Sequence, residues 1–250
     1  MNPEPVWLFG CRIDRLDTQQ AVAQVETWIA QRDRTYQSAA VNFDQLMKMK
    51  RDPTFARTLL ESDQLTADGQ PLVWLSRCFG DPLPERVSSI DLMIALMAVA
   101  EHKKYRIYLL GAKEEALSKA SLQLKTTYPA LQIVGQRNGY FSSEDENSIV
   151  DDIVASQADI LLIAISSPKK EEFVSRHRER LAVPFVLGVG GAFDVLAGIY
   201  PRAPLWLRRA GLEWTWRVAQ EPRRLLPRLV ENLKFSRFIL DETIVRLRHR

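Results

Sequence analysis

Short runs of β-branched, aromatic and other apolar residues alternate along this chain with stretches whose apolar positions recur at helical spacing. That alternation is the rhythm of βα units around a mainly parallel sheet. After an opening strand or hairpin near Trp7, the residues Ala21, Val22, Val25, Trp28 and Ile29 form one face of a helix that Thr18 is placed to cap. Tyr36 to Val41 reads as a strand ending in Asn42, and a helix carrying Leu46, Met47 and Met49 follows. Leu65 to Ala67 is a second strand, ending in Asp68 and Gly69, with a helix starting near Pro71. Ile90 to Ala100 reads as helix, Tyr105 to Leu110 as a strand before Gly111, Lys113 to Tyr128 as helix and Leu131 to Val134 as strand. Ser143 and Glu146 have the spacing of a capping box ahead of a helix through Ile149, Ile153 and Val154. Ile160 to Ile165 is apolar throughout, as a strand buried on both faces is, and Ser166-Ser167-Pro168 opens a helix with proline in its first turn. Phe185 to Leu187 is the last strand; past Pro201 and Pro204 only helical signals remain.

The expected fold is therefore α/β: a Rossmann-like, mainly parallel sheet flanked by helices over residues 1–200, then a helical appendage over residues 201–250. A length of 250 residues with 46% hydrophobic and 26% charged side chains suits a soluble globular chain with a full core. The net charge of +3 conceals a split, because the last 51 residues hold 12 Arg or Lys against 5 Asp or Glu, leaving 22 basic against 26 acidic residues upstream. A basic tail on an acidic body points to an anionic surface or to a solvated helix face. Nucleic acid is disfavoured, because the body is acidic and carries no binding motif. Cys11 and Cys78 are far apart and in no CxxC pattern, so neither a disulfide framework nor a zinc site is expected, and a reducing cytoplasm is the natural setting. No apolar run reaches the ~18 residues that span a bilayer, so membrane contact is expected to be peripheral.

Three strand ends carry the candidate chemistry: Asn42; Asp68-Gly69-Gln70-Pro71; and Gly188-Val189-Gly190-Gly191. In open α/β sheets ligands bind at the carboxyl ends of strands. A carboxylate there, such as Asp68, can be desolvated and aimed at a substrate hydroxyl as a general base; the alternative is that Asp68 caps the helix near Pro71. The glycine turn lets backbone N–H groups approach a phosphate, or simply makes a tight strand-to-helix turn. Arg86, after Pro82 and Pro84, offers a forked guanidinium to a phosphate, or lies on the surface. A dinucleotide GxGxxG, a Walker loop, an acidic DxD pair and any His/Cys cluster are all absent, so no cofactor and no metal are expected and an NAD enzyme is disfavoured. In the tail, Trp206, Trp214 and Trp216 stand among Arg208, Arg209, Arg217, Arg223, Arg224 and Arg228, a composition suited to an anionic bilayer interface or to packing the tail onto the body.

Taken together, LTADGQPLVWLSR, PLPERVSSIDLM, SPKKEEF, GVGGAFDVLAG and the tail pattern RAP with GLEWTWR resemble the WecG/TagA/CpsF family of bacterial glycosyltransferases over nearly the whole chain. The resemblance implies inverting, metal-independent transfer from a UDP-sugar to a polyprenyl-diphosphate-linked sugar in cell-surface polysaccharide synthesis, on the cytoplasmic side of the membrane. It implies that Asp68 is the base, that Asn42 helps hold sugar or acceptor, and that Arg86 meets the diphosphate. Gly188, Gly190, Gly191 and Asp194 would form the nucleotide-side loop, and Arg217 and Arg224, with Arg228 as a looser match, would reach over the site and stabilise departing UDP. The expected partners are thus a UDP-sugar, a polyprenyl-diphosphate-sugar and an anionic membrane surface, with homo-oligomerisation left open.

Three positions depart from the family pattern: Ala40 in place of Thr, Ser89 in place of Gly, and Lys170 in place of the Gln of SPKQE. Lys170 substitutes a point charge for an amide, which suits an acidic donor sugar, or else contacts phosphate or solvent. The competing reading from another class is a catalytically silent nucleotide-sugar-binding or scaffold subunit.

Overall fold

The computed structural model describes residues 4–209, 212–220 and 222. The chain opens with an antiparallel hairpin, β1 (Val6–Leu8) and β2 (Cys11–Ile13), paired from Val6 opposite Ile13 to Leu8 opposite Cys11. Its turn needs left-handed backbone at both Phe9 (φ 55°) and Gly10 (φ 78°), the geometry of a tight hairpin. Helix α1 (Thr18–Gln31) follows. Its cap is Asp17 rather than the expected Thr18: the Asp17 carboxylate accepts from Gln20 N, and Gln20 Oε1 accepts from Asp17 N. An aspartate one residue earlier closes the reciprocal box that a Thr18 cap would not.

Six strands then form one parallel sheet. In chain order the elements are β3 (Tyr36–Val41), α2 (Phe43–Arg51), α3 (Pro53–Leu60), β4 (Gln64–Ala67), α4 (Gln70–Cys78), α5 (Ser89–Lys103), β5 (Arg106–Gly111), α6 (Glu114–Thr127) and β6 (Gln132–Arg137). They continue with α7 (Glu146–Ala155), β7 (Ile160–Ala164), α8 (Lys169–His177), β8 (Phe185–Gly188) and the short α9 (Ala192–Leu196). After these come α10 (Leu205–Arg209) and α11 (Glu213–Gln220), the described part of the appendage. The strand order is β4-β3-β8-β7-β5-β6. Sequence patterning missed α3, which starts with Pro53 in its first turn behind an Asp52 cap. Two start signals were misplaced: α7 begins at a cap on Asp145 and not in a Ser143 box, and Pro168 is the N-cap of α8, outside its first turn.

Strand alternation sorts the core. Tyr36, Ile107, Leu109, Leu162, Phe185 and Leu187 pack under α1, α5, α6 and α9 on one face. On the other, Ala39, Val41, Leu65 and Ala67 pack with α2, α3, α4 and the hairpin. Further along that same face Tyr108, Leu110, Leu161, Ile163 and Val186 pack with α7 and α8. Strands β7 and β8 are buried on both faces, as their unbroken apolar runs require. Cys11 lies within this core, where burial pushes its thiol up to about 12, so it acts as a small apolar group.

The chain leaves β3 towards α2 on one face and leaves neighbouring β8 towards α9 on the other. Where successive connections diverge to opposite faces, the carboxyl ends of the two strands open a crevice. Charge at the opposite, amino end of the sheet is structural. There Asp63 pairs with Arg34 and Arg178, and the buried Asp159 accepts from Arg106 N while pairing with Arg32.

Candidate active site

Several of the residues singled out in the sequence are brought to the carboxyl edge of the sheet. Asn42 follows β3, Asp68 follows β4, the glycine turn ends β8, and Ser166 to Lys170 follows β7, so four adjacent strands deliver them to one edge. Asp68 N donates to Val41 O at 2.7 Å and Val87 N donates to Ala67 O at 2.9 Å. These two bonds tie the end of β4 to β3 and bring the Arg86 loop alongside.

The alternative role of Asp68 as helix cap is not what the structure adopts. The N-cap of α4 is Gly69, at φ 152° and ψ 124°, with no side-chain hydrogen bond at the cap. This region of backbone space is open essentially to glycine alone. Asp68 keeps 32% of its side chain exposed and lies 3.8 Å, Oδ1 to Nη1, from Arg86, whose own side chain is only 16% exposed. Arg86 is therefore not a loose surface arginine.

Asn42 has a demonstrable structural task. Its Oδ1 accepts from Gln45 N at 3.2 Å and Gln45 Oε1 accepts from Asn42 N at 2.9 Å, a complete capping box for α2. One face of the side chain is thus used to hold the residue at the crevice.

Around Arg86 lie three residues that spacing could not single out. Arg86 Nη2 donates to Asp91 Oδ2 at 2.5 Å and Nη1 to Glu213 Oε2 at 3.3 Å. Arg202 pairs with Asp91 Oδ1, and its Nε stands 3.7 Å from Glu213 Oε1. Burial raises the Asp91 pKa, but the Ser88 hydroxyl, 2.6 Å away, and the Arg202 and Arg86 guanidinium groups outweigh it, leaving it below the ordinary carboxylate value. The only hint in the sequence was that Asp91, Arg202 and Glu213 each fall inside one of the recognisable segments.

Lys170 is buried, which removes its solvent-facing alternative. Its chain lies across Gly188, where an added Cβ would stand 2.6 Å from Cδ and 2.7 Å from Nζ. Nζ is 3.0 Å from Glu171 Oε1, close enough for Coulombic pairing. The alignment is not that of a hydrogen bond, and among the described residues neither Glu171 oxygen has a hydrogen-bond partner. Because Glu171 already balances the lysine, Lys170 gives no reason to expect an acidic donor sugar. Gly188 is required for this close approach. By contrast, a Cβ at Gly111 would meet backbone, Ala164 O at 2.4 Å, at a φ of 126°. We expect Gly188→Ala, relieved by moving a side chain, to cost about 1–3 kcal/mol in urea denaturation. Gly111→Ala should cost more, since both clash and backbone strain must be absorbed; an equal or reversed order would contradict the packing described.

Gly190, at φ 52°, makes the turn between β8 and α9, and Gly191 is the N-cap of α9. The tight-turn alternative is therefore met at Gly190. Asp194 O accepts from Ile199 N and Tyr200 N at 3.0 and 3.4 Å, closing the loop that leads to the appendage. Trp216 Nε1 donates to Pro201 O at 2.9 Å, whereas Trp206 is 67% exposed. Arg217 falls on α11 four residues after Glu213; Arg224 and Arg228 lie outside the described residues.

A parallel α/β sheet with polar residues gathered at a crevice between diverging strands defines a ligand-binding class of fold, widely used by nucleotide-dependent enzymes. The glycosyl transferase WecG/TagA/CpsF family model matches residues 6–249, and the chain belongs to that family of glycosyltransferases. It is 31% identical over 174 residues to the N-acetylglucosaminyldiphosphoundecaprenol N-acetyl-beta-D-mannosaminyltransferase of Bacillus spizizenii, covering 70% of this chain and 67% of the relative. It is 30% identical over 192 residues to the protein of the same name from Bacillus subtilis, covering 77% and 74%.

Proposed function

We propose that this protein transfers an N-acetylmannosamine-type sugar from a UDP-sugar to a polyprenyl-diphosphate-linked sugar, with inversion and without a metal, at the cytoplasmic face of the membrane. The observation that carries the reading is Asp68: a part-exposed carboxylate at a strand end, released from helix capping and set beside a nearly buried arginine. The names of the two Bacillus relatives support both the sugar and the lipid-linked acceptor.

In this mechanism Asp68 accepts the proton of the acceptor hydroxyl as that oxygen attacks the anomeric carbon from the face opposite the leaving group. The bond from the anomeric carbon to the β-phosphate oxygen breaks, and UDP leaves with the electron pair. Arg86 offsets diphosphate charge at the crevice, Asn42 orients a substrate hydroxyl, and the Gly188 to Gly191 turn with Asp194 faces the nucleotide. Lys170, held over Gly188, lies beside that turn. Arg217, Arg224 and Arg228 stabilise departing UDP, so that fixed positive charge does what a divalent cation does elsewhere. Residues 201–250 form the membrane-docking appendage, a role supported by the basic charge of that stretch and by the exposure of Ile199 just before it and of Trp206 within it. Among the described residues no helix is long and apolar enough to cross a membrane, so docking is peripheral in this reading.

The test is UDP release by the full-length protein with a panel of UDP-N-acetylhexosamines, UDP-hexoses and UDP-hexuronates, with and without polyprenyl-diphosphate-sugar acceptors in detergent. We expect acceptor-dependent release, highest with the N-acetylmannosamine donor and unchanged by EDTA. UDP binding without turnover on any pair would favour the scaffold reading; loss of turnover in EDTA would overturn the metal-free mechanism.

A further inference from the structure

The charges around Arg86 close on themselves. Asp91 gives one carboxylate oxygen to Arg86 and the other to Arg202, and Glu213 accepts from Arg86 at Oε2 while its Oε1 stands 3.7 Å from Arg202 Nε, within Coulombic reach but without a hydrogen bond. The result is a four-membered ring of alternating charge, neutral in sum, with all four side chains between 15% and 25% exposed. Its members come from three parts of the chain. Arg86 and Asp91 flank the start of α5, Arg202 lies just past the loop closed by Asp194, and Glu213 opens α11. Arg202 and Glu213 both fall within residues 201–250, Glu213 being the member carried by α11, while Arg86 is the member that faces Asp68.

We propose that this ring is a docking latch: Glu213, seated between Arg86 and Arg202, makes the position of Arg86 beside Asp68 depend on α11 being docked. The idea rests on the transfer reaction proposed above for its catalytic half, and on the ring geometry alone for its structural half. The electrostatics favour a shared role. Arg86 Nη1 is nearer to Glu213, at 3.3 Å, than to Asp68, at 3.8 Å. Without the Glu213 carboxylate the same nitrogen is left to collapse onto Asp68, pairing with the base it is meant to stand beside. Arg202 and Asp91 stop the opposite error, since they hold Glu213 and Arg86 from behind and keep the guanidinium from following α11 outward. Asp91, Arg202 and Glu213 are accordingly positioning residues: they act through Arg86 and need touch neither substrate.

The decisive comparison uses the full-length protein carrying Glu213→Gln, which keeps the shape of the side chain, Glu213→Asp, which keeps its charge, and Arg202→Gln. Two readouts are taken on each: hydrogen exchange of the α11 amides, which needs no activity, and steady-state kinetics. We expect faster α11 exchange in Glu213→Gln and Arg202→Gln, with exchange in the α/β body unchanged and partial recovery in Glu213→Asp. In kinetics we expect about a tenfold fall in kcat for Glu213→Gln, within the range of coupling between residues of one ion network. That fall should shrink to less than about twofold when Arg86→Lys is already present, because the two residues act as a unit. Unchanged α11 exchange overturns the latch. Faster exchange with wild-type kinetics, or a full tenfold fall on the Arg86→Lys background, overturns the positioning of Arg86. If the wild-type protein transfers no sugar, the proposed function fails, while the exchange result still decides whether the latch exists.

Discussion

Asp68→Asn should lower kcat by about 10²–10⁴-fold while leaving UDP binding and folding close to wild type. The substitution keeps size and hydrogen-bonding capacity and removes the one property a general base needs. Little stability should be lost with it. The Arg86 contact is long, at 3.8 Å, and Asp68 is 32% exposed, so the pair itself contributes weakly. The helix that follows does not depend on Asp68 either, because its cap is Gly69. The measurement is acceptor-dependent UDP release beside a thermal melt and a UDP-binding titration on the same preparation. A variant within tenfold of wild type in kcat would count against Asp68 as the base. It would also restore the scaffold reading, in which nothing has to accept a proton.

Truncation after Tyr200 should separate the body from its docking and its charge. The three core clusters draw on residues no further along than Leu196, and beyond Tyr200 only Ala203 and Leu207 are buried apolar residues among those described. The α/β body should therefore remain folded. Binding to vesicles containing anionic lipid should be lost, since the removed segment carries the basic excess and the exposed Trp206. Turnover on a lipid-linked acceptor should fall by more than about a hundredfold, as leaving-group stabilisation and the Arg202 and Glu213 side of the ring go together. In the intact protein, rising salt should weaken vesicle binding yet leave a residue owed to tryptophan insertion. Full activity in the truncated protein would remove the tail from the catalytic scheme.

Much of this molecule is local, and the local part was legible. The unbroken apolar run from Ile160, the alternation of strand and helical rhythm, and the polar residue closing each of β3 and β4 depend on neighbours within a few positions, so pattern alone placed them. Errors arose where two local signals compete. Asp17 and Thr18 can both cap, Ser143 and Asp145 both precede α7, and α3, which begins at Pro53, was not read at all. Geometry decides at α1 and α3, where Asp17 and Asp52 bring a carboxylate oxygen to a free N–H of the first turn; at α7 Asp145 holds the cap position without a side-chain bond.

The site divides in the same way. Asp68, Asn42 and the Gly188 to Gly191 turn were readable because the carboxyl end of a parallel strand is a binding position in any open sheet. Residue order alone was silent on why Gly188 must be glycine, on Lys170 being matched by Glu171, and on Arg86 being held by Asp91, Arg202 and Glu213. Each of these follows from approach in space: a side chain laid across a strand, or an ion ring joining positions 86, 91, 202 and 213. Coulombic pairing and steric exclusion act over a few ångströms irrespective of separation along the chain. What the sequence determined by itself was the kind of sheet, the strand ends that carry polar groups and the charge of the tail; the tertiary structure alone decided which of those groups are neighbours, because only the closed fold sets their distances.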